Sequence, residues 1–225
     1  ASPSGGWRPV PLEIEMAGSI SGRLSAIGEG VLGKALTALG PGQPFLMDRI
    51  NHVDVELTNP DHWLESRDDL ALAGGANMAM IGDEMVQFGD ALAIAPGRFR
   101  LSRLLRGRRG SEWAMGAHAV GEPFLLVDPR ALKSIAGSAA TIGSAASVTA
   151  YGPGNDGQEP TVSRLMQGEA ARSLSPAQLR GALQPDGTLA VSWAYRSRRA
   201  FAWIDFVDAP VDWDFAGYRV TIARG

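Results

Sequence analysis

The sequence predicts a mainly β protein: an antiparallel meander or sandwich-type domain with little helix. Three observations point there. The chain holds 28 glycines and 14 prolines in 225 residues, which cuts it into short runs bounded by turns. Charged residues make up 20% of it, below the roughly one quarter of an average domain, and 45% are apolar, enough for a packed core. The clearest apolar runs alternate with period two and are separated by turn dipeptides.

The elements follow in order. Residues 1–11 read as a linker or as the cut end of a longer chain. "LEIEMAGSI" (Leu12–Ile20) begins with apolar/acidic alternation, the pattern of a half-exposed strand. Ala35–Leu39 has room for one helical turn. "INHVDVEL" (Ile50–Leu57) sets Ile50, Val53, Val55 and Leu57 against His52, Asp54 and Glu56, and is expected as a strand. "NPDHWLESRDDLALAGG" reads as a turn and a short helix, capped by Asn59 or Asp61 and ended at Gly74–Gly75.

"ANMAMI", "EMVQFGDALAIA" and "RFRLSRLL", joined by Gly82–Asp83 and Pro96–Gly97, predict a three-stranded meander. In the third run Phe99 and Leu101 share one face and Arg98 and Arg100 the other. The alternation slips at Arg103–Leu105, where a bulge is expected. Gly121–Asp128 is a further strand, and Ala131–Ala146 is a bland Ala/Ser/Gly stretch. The segment after it is a hairpin with a long polar loop, Gly152–Pro160. Beyond Ser173 the texture changes: two strands flank a Pro-Asp-Gly turn, and "GYRVTIARG" supplies one more.

Composition narrows the function. A net charge of −3 argues against a chain built to coat nucleic acid. The absence of cysteine removes disulfides, thiolate metal sites and cysteine nucleophiles. No apolar run spans a bilayer, and the N-terminus lacks the basic start and apolar core of a signal peptide.

"GEGVLGKA" matches parts of the dinucleotide fingerprint and the phosphate-binding loop. Ala35, however, stands where a magnesium-binding hydroxyl is needed, and Gly40–Pro41 cuts off the helix that should hold the phosphate, so a turn and strand are expected there. His52, His62 and His118 fit no compact zinc signature. No G-x-S-x-G elbow supports a catalytic triad. No catalytic, cofactor or metal residue is therefore assigned. Trp193 is expected in a sandwich core, while Trp203 and Trp213, in irregular sequence, are candidate glycan contacts.

The densest charge feature is "GRFRLSRLLRGRRGSEW" (Gly97–Trp113), with six arginines in twelve residues. The alternation makes it a strand with a solvated arginine face, followed by a glycine-flanked loop. Within that loop Arg106, Arg108 and Arg109 are expected to bond carbonyls or to pair with Glu112 and Glu122. Arg106 and Arg109 in particular are expected to hold it together.

This segment, followed by "HAVGEPFLLVD", resembles the signature of the large tail-tip or baseplate proteins of siphophage-like particles, among them the multidomain baseplate proteins of bacterial gene transfer agents. That family's pattern is an aromatic strand, L-L-R-G-x-R-G-T-E, a His and a G-x-x-F strand. Phe99, Leu104, Leu105, Arg106, Gly107, Arg109, Gly110, Glu112, His118, Gly121 and Phe124 fit it, with Ser111 in place of Thr. Gly75, Asn77, Glu84, Gln87 and Phe88 fit an upstream block. "LSPAQLRG", "DGTLAVSWAYRSRR" and "YRVTI" are similar to the family's fibronectin type III-like module.

The resemblance implies a non-enzymatic structural and adhesive segment of a virion tail tip, synthesised in the bacterial cytoplasm. Its implied partners are other tail or baseplate subunits and a host-surface glycan or receptor, with neither nucleic acid nor membrane insertion. The structural motif is Arg106, Gly107, Arg109, Gly110 and Glu112. The implied organisation is a β-rich tail-protein domain over 12–172 and the start of the fibronectin-like module over 173–225. Three strand candidates, Ala177–Ala182, Thr188–Trp193 and Gly217–Ile222, fall short of the seven such a module needs, so a fragment of a longer protein is expected. Two rivals are a carbohydrate-binding module for host envelope glycans, built on Trp203 and Trp213, and part of a cell-wall hydrolase.

Overall fold

The computed structural model describes residues 8–152, 157–169, 172–198, 210–211 and 216–221. The protein is mainly β, with antiparallel sheets, and divides into two compact units, Ala1–Ala170 and Ala171–Gly225.

The first unit opens with a hairpin, β1 (Pro11–Met16) and β2 (Ser19–Ser25). Leu12–Ile20 is therefore not one strand. Ala17 and Gly18 both adopt positive φ (51° and 77°), a two-residue turn whose twist suits paired strands. β2 is too polar to stand out by its apolar pattern.

Six strands then form a closed barrel: β3 (Leu32–Ala35), β4 (Val53–Leu57), β5 (Met78–Ile81), β6 (Glu84–Ala95), β7 (Arg98–Leu105) and β8 (Pro123–Leu126), in the order β3-β4-β7-β6-β5-β8. The expected meander is β5-β6-β7. It closes because β7 returns to β4 and β8 seats between β5 and β3. Closure leaves the six strands without an open edge. After the barrel, β9 (Ala145–Ala150) pairs with β1 and with β10 (Thr161–Leu165), so the chain segments flanking the barrel share one four-stranded sheet.

The barrel core is filled from alternate positions: Val53, Val55 and Leu57 of β4, Val86 and Phe88 of β6, Phe99 and Leu101 of β7, and Phe124 of β8. On the outside, Arg100 sits opposite Asp54 and Arg98 opposite Glu56 across the β4/β7 ladder, and Lys34 sits opposite Glu56 across β3/β4. These pairs close at 2.6–3.0 Å. The solvated arginine face is thus a cross-strand ion ladder.

Four local expectations change. Ala35–Leu39 forms no helical turn, because β3 runs to Ala35 under the ladders of β4 and β8. Ile50 lies outside β4 and is 91% exposed. The helix α1 (Asp69–Ala73) is capped by Asp68, whose Oδ1 accepts the Ala71 N–H at 2.8 Å; Asn59 instead closes the preceding turn through Asp61 N–H. The bulge falls at Ala93/Ala95. The slip at Arg103 has a different cause: this residue takes φ +53°, so Leu101 and Leu104 both reach the core. The Arg103 guanidinium crosses over Gly89 to Asp90, Asp69 and the Arg67 carbonyl.

The second unit holds a hairpin of β11 (Ala177–Leu183) and β12 (Leu189–Ala194). The third strand expected over Gly217–Ile222 does not form a ladder among its described residues, 217–221. Tyr218 instead meets half-buried Trp193 edge to face, with ring centroids 5.1 Å apart.

Candidate functional site

The arginine motif leads into the barrel. β6 starts with Glu84 directly after the Gly82–Asp83 turn, and Arg106 follows the end of β7. Alternation puts Glu84 in phase with Val86 and Phe88, and Arg106 in phase with Leu104, so both side chains point inward. Both are fully buried (0% side-chain exposure each). Arg106 Nε and Nη2 donate to Glu84 Oε1 and Oε2, each at 2.8 Å, in a bidentate pair. Its Nη1 donates to the Gly40 carbonyl at 2.8 Å and to Asp48 Oδ2 at 3.2 Å.

The chain then reverses at Gly107, whose φ of +57° aims its N–H at Glu84 Oε1, 2.7 Å away. A Cβ there would stand 2.8 Å from Glu112 Cγ, so any larger residue displaces Glu112 as well as straining the backbone.

His118 completes the network. Its Nε2 lies 2.7 Å from Glu84 Oε2 and its Nδ1 2.7 Å from Glu122 Oε2. A neutral imidazole donates from one nitrogen only, so satisfying both carboxylates requires the imidazolium. The hydrogen bond to Glu84 is the main force raising the His118 pKa; burial opposes it, and Glu122 adds to it. Burial alone would raise Glu84, but hydrogen bonds from His118, Arg106 and Gly107 outweigh it and hold this carboxyl below its ordinary value. Asp48 is likewise lowered against its burial, chiefly by Asn51. With both imidazole nitrogens donating and both Glu84 oxygens accepting, the cluster offers no lone pairs converging on a cation. Among the described residues no group of three or more His, Cys, Asp or Glu is arranged to hold a metal.

The sequence-assigned motif residues separate accordingly. Arg106 and Gly107 belong to the network. Arg106 does bond a loop carbonyl, that of Gly40, but its carboxylate partners are Glu84 and Asp48 rather than Glu112 or Glu122. Arg108 reaches Gln87 Oε1 at 2.9 Å, and Gln87 in turn donates to the carbonyls of Leu72 and Ala76 behind α1. Glu112 packs over Gly107. Arg109 does not hold the loop: it is exposed and makes no hydrogen bond or ion pair among the described residues. It does so at φ +59°, a left-handed conformation costing a non-glycine residue about 1–2 kcal/mol. Gly110, at φ +86°, continues the same turn.

Glu84 and His118 stand among the residues that fit the family blocks, but neither they nor Asp48 are expected from the sequence to meet at one site. A signal existed: a carboxylate and a guanidinium each in phase with buried apolar positions, on two strands expected to pair.

Beside the network lies a cleft of about 390 Å³. It is lined by Met80, Asp83 and Met85 of the β5–β6 hairpin, by Arg109, Gly110, Ser111 and Trp113, and by Arg164, Leu165, Gln167 and Glu169 in and after β10. Ser111 fixes the loop that forms one wall: its Oγ accepts the Met85 N–H at 2.9 Å and donates to the Arg108 carbonyl at 2.8 Å. Trp203 and Trp213, the candidate glycan contacts, lie outside the described residues. "GEGVLGKA" forms no phosphate loop: Gly33 and Lys34 lie in β3, and Lys34 is committed to Glu56. No helix among the described residues is long and apolar enough to cross a membrane.

No curated protein matches the chain. Residues 30–125 match the family model described as Rcc01698-like, C-terminal. That span runs from just before β3 to within one residue of the end of β8, so the similarity coincides with the closed barrel and its buried ion network.

Proposed function

We propose that the chain is a non-enzymatic structural and adhesive segment of a phage-like tail tip, presenting surfaces to neighbouring tail subunits and to the host envelope. The observation that carries this reading is where the tail-protein signature sits. Four of the six arginines in that segment tie the barrel together: Arg98 and Arg100 in the outer ladder, Arg103 on Asp90 and Asp69, and Arg106 in the core. A part that bears load needs such cross-ties between loops and strands more than it needs a free basic surface. The loop Pro41–Asn51 supports the same reading. Asp48 and Asn51 pin it beside Arg106, and it holds Leu46 and Ile50 out toward solvent, an apolar patch suited to a neighbouring subunit.

The test is location. An epitope tag is placed on the gene product containing this chain, particles are purified on a density gradient, and the tag is imaged by immunogold electron microscopy. The expected result is label confined to the tail tip. Tag recovered only in particle-free fractions would overturn the reading.

A further inference from the structure

We propose that the cleft between the β5–β6 turn, the Arg109–Trp113 loop and the segment around Arg164–Glu169 binds a saccharide, with Trp113 as the stacking surface and Arg109 as the leading hydrogen-bond donor. Trp113 lines the cleft with 45% of its surface exposed, and Ser111 ties its loop to β6 by accepting the Met85 N–H. Of the six clustered arginines, five are engaged by Glu56, Asp54, Asp90, Glu84 or Gln87. Arg109 alone has no hydrogen bond or ion pair among the described residues. It nonetheless occupies a left-handed position that glycine would fill without strain, as Gly107 and Gly110 do on either side. A residue held in a strained backbone conformation, lining a cleft and with no side-chain partner among the described residues, is accounted for by a ligand.

The lining identifies the ligand class. The lining carries two arginines, Arg109 and Arg164, and two carboxylates, Asp83 and Glu169, so the formal charges cancel. Arg164 is partly compensated by Asp83 at 3.6 Å. A phosphate or an acidic peptide would call for net positive charge. A sugar ring instead needs what is present: an aromatic surface for its C–H face, and donors and acceptors together for hydroxyls that both give and take hydrogen bonds. The volume, about 390 Å³, falls at the low end of small-ligand sites, roughly 300–1,000 Å³, and suits the end of a glycan chain.

The proposal deepens the attachment half of the tail-tip reading and rests on it only for the source of the sugar. The purified full chain is applied to an array of bacterial envelope glycans, and retained glycans are titrated by calorimetry against the wild type, Trp113→Ala and Arg109→Ala. Both side chains lie outside the buried ion network, and unchanged melting temperatures verify that the variants fold. The expected result is retention of at least one glycan, with affinity falling roughly tenfold or more in Trp113→Ala and several-fold in Arg109→Ala. The proposal is overturned if no glycan is retained above the Trp113→Ala background. It is equally overturned if binding survives Trp113→Ala and is lost in Trp203→Ala or Trp213→Ala. Glycan binding by a chain absent from particles would sink the tail-tip reading alone; a chain at the tail tip that retains no glycan would sink this one alone.

Discussion

Truncating Arg106 to alanine tests the central claim that the arginine motif is an internal tie. The guanidinium makes two bonds to Glu84, one to the Gly40 carbonyl and one to Asp48, and neither it nor Glu84 is exposed to water. Its removal leaves the Glu84 carboxylate buried with only Gly107 and His118 to hold it. Breaking a buried pair from one side costs about 3–5 kcal/mol, because the surviving charge stays desolvated. In a unit of the size of Ala1–Ala170 each kcal/mol lowers the melting temperature by about 2–4 °C, so a fall of roughly 6–20 °C is expected. Scanning calorimetry of wild type, Arg106→Ala, Glu84→Ala and the double variant measures it. The double variant should cost less than the sum of the singles, since no unpaired partner of the bidentate contact remains. A fall below about 2 °C in Arg106→Ala, or strict additivity, would refute the reasoning.

The other predictions concern the same loop and its surroundings. Arg109→Ala should leave the urea midpoint nearly unchanged, whereas Arg109→Gly should stabilise by about 0.5–1 kcal/mol by relieving the left-handed backbone. Gly107→Ala should destabilise by more than about 1 kcal/mol on the same assay, given φ +57° and the approach of Glu112. His118, its pKa raised above the ordinary 6.5, contributes stability that is complete below that value and is lost as pH rises through the folded-state pKa. Glu84, lowered from 4.5, contributes stability that is present above that value and is lost as pH falls. Urea midpoints should therefore be highest between these two values, and His118→Gln should flatten the alkaline limb; an identical slope in the variant would place the titration elsewhere. Generic duplex DNA should show no tight, salt-sensitive binding in fluorescence anisotropy, because most of the arginine cluster is already neutralised by carboxylates.

How much of this was legible depends on whether the controlling contacts were local. The meander was readable because turn dipeptides and period-two alternation act within a few residues: Gly82–Asp83, Pro96–Gly97, and Phe99 with Leu101 against Arg98 with Arg100. Closure of the barrel was not readable. It depends on β8 pairing with β3 and β5, and on β7 finding β4 some forty positions back, and no local pattern encodes either. The hairpin β1–β2 escaped for a different reason: its turn uses Ala17 at φ +51°, a residue with no turn preference, and β2 buries too little to alternate.

The ion network lies between these cases. Glu84 and Arg106 are 22 positions apart, but each breaks an apolar phase on a strand whose neighbour was correctly paired. A charge in phase with Val86 and Phe88 costs several kcal/mol unless an opposite charge meets it, and the next strand carries one in phase with Leu104. Read as a demand for a partner, Glu84 points to Arg106 without coordinates. Read as a surface charge, Arg106 is offered only loop carbonyls or Glu112 and Glu122, its neighbours in sequence, as partners. Arg109 shows the converse. Sequence alone places it in the same motif as Arg106, and only the backbone, by putting it at φ +59° on an exposed wall of the cleft, separates a residue that holds the barrel from one that lines the cleft.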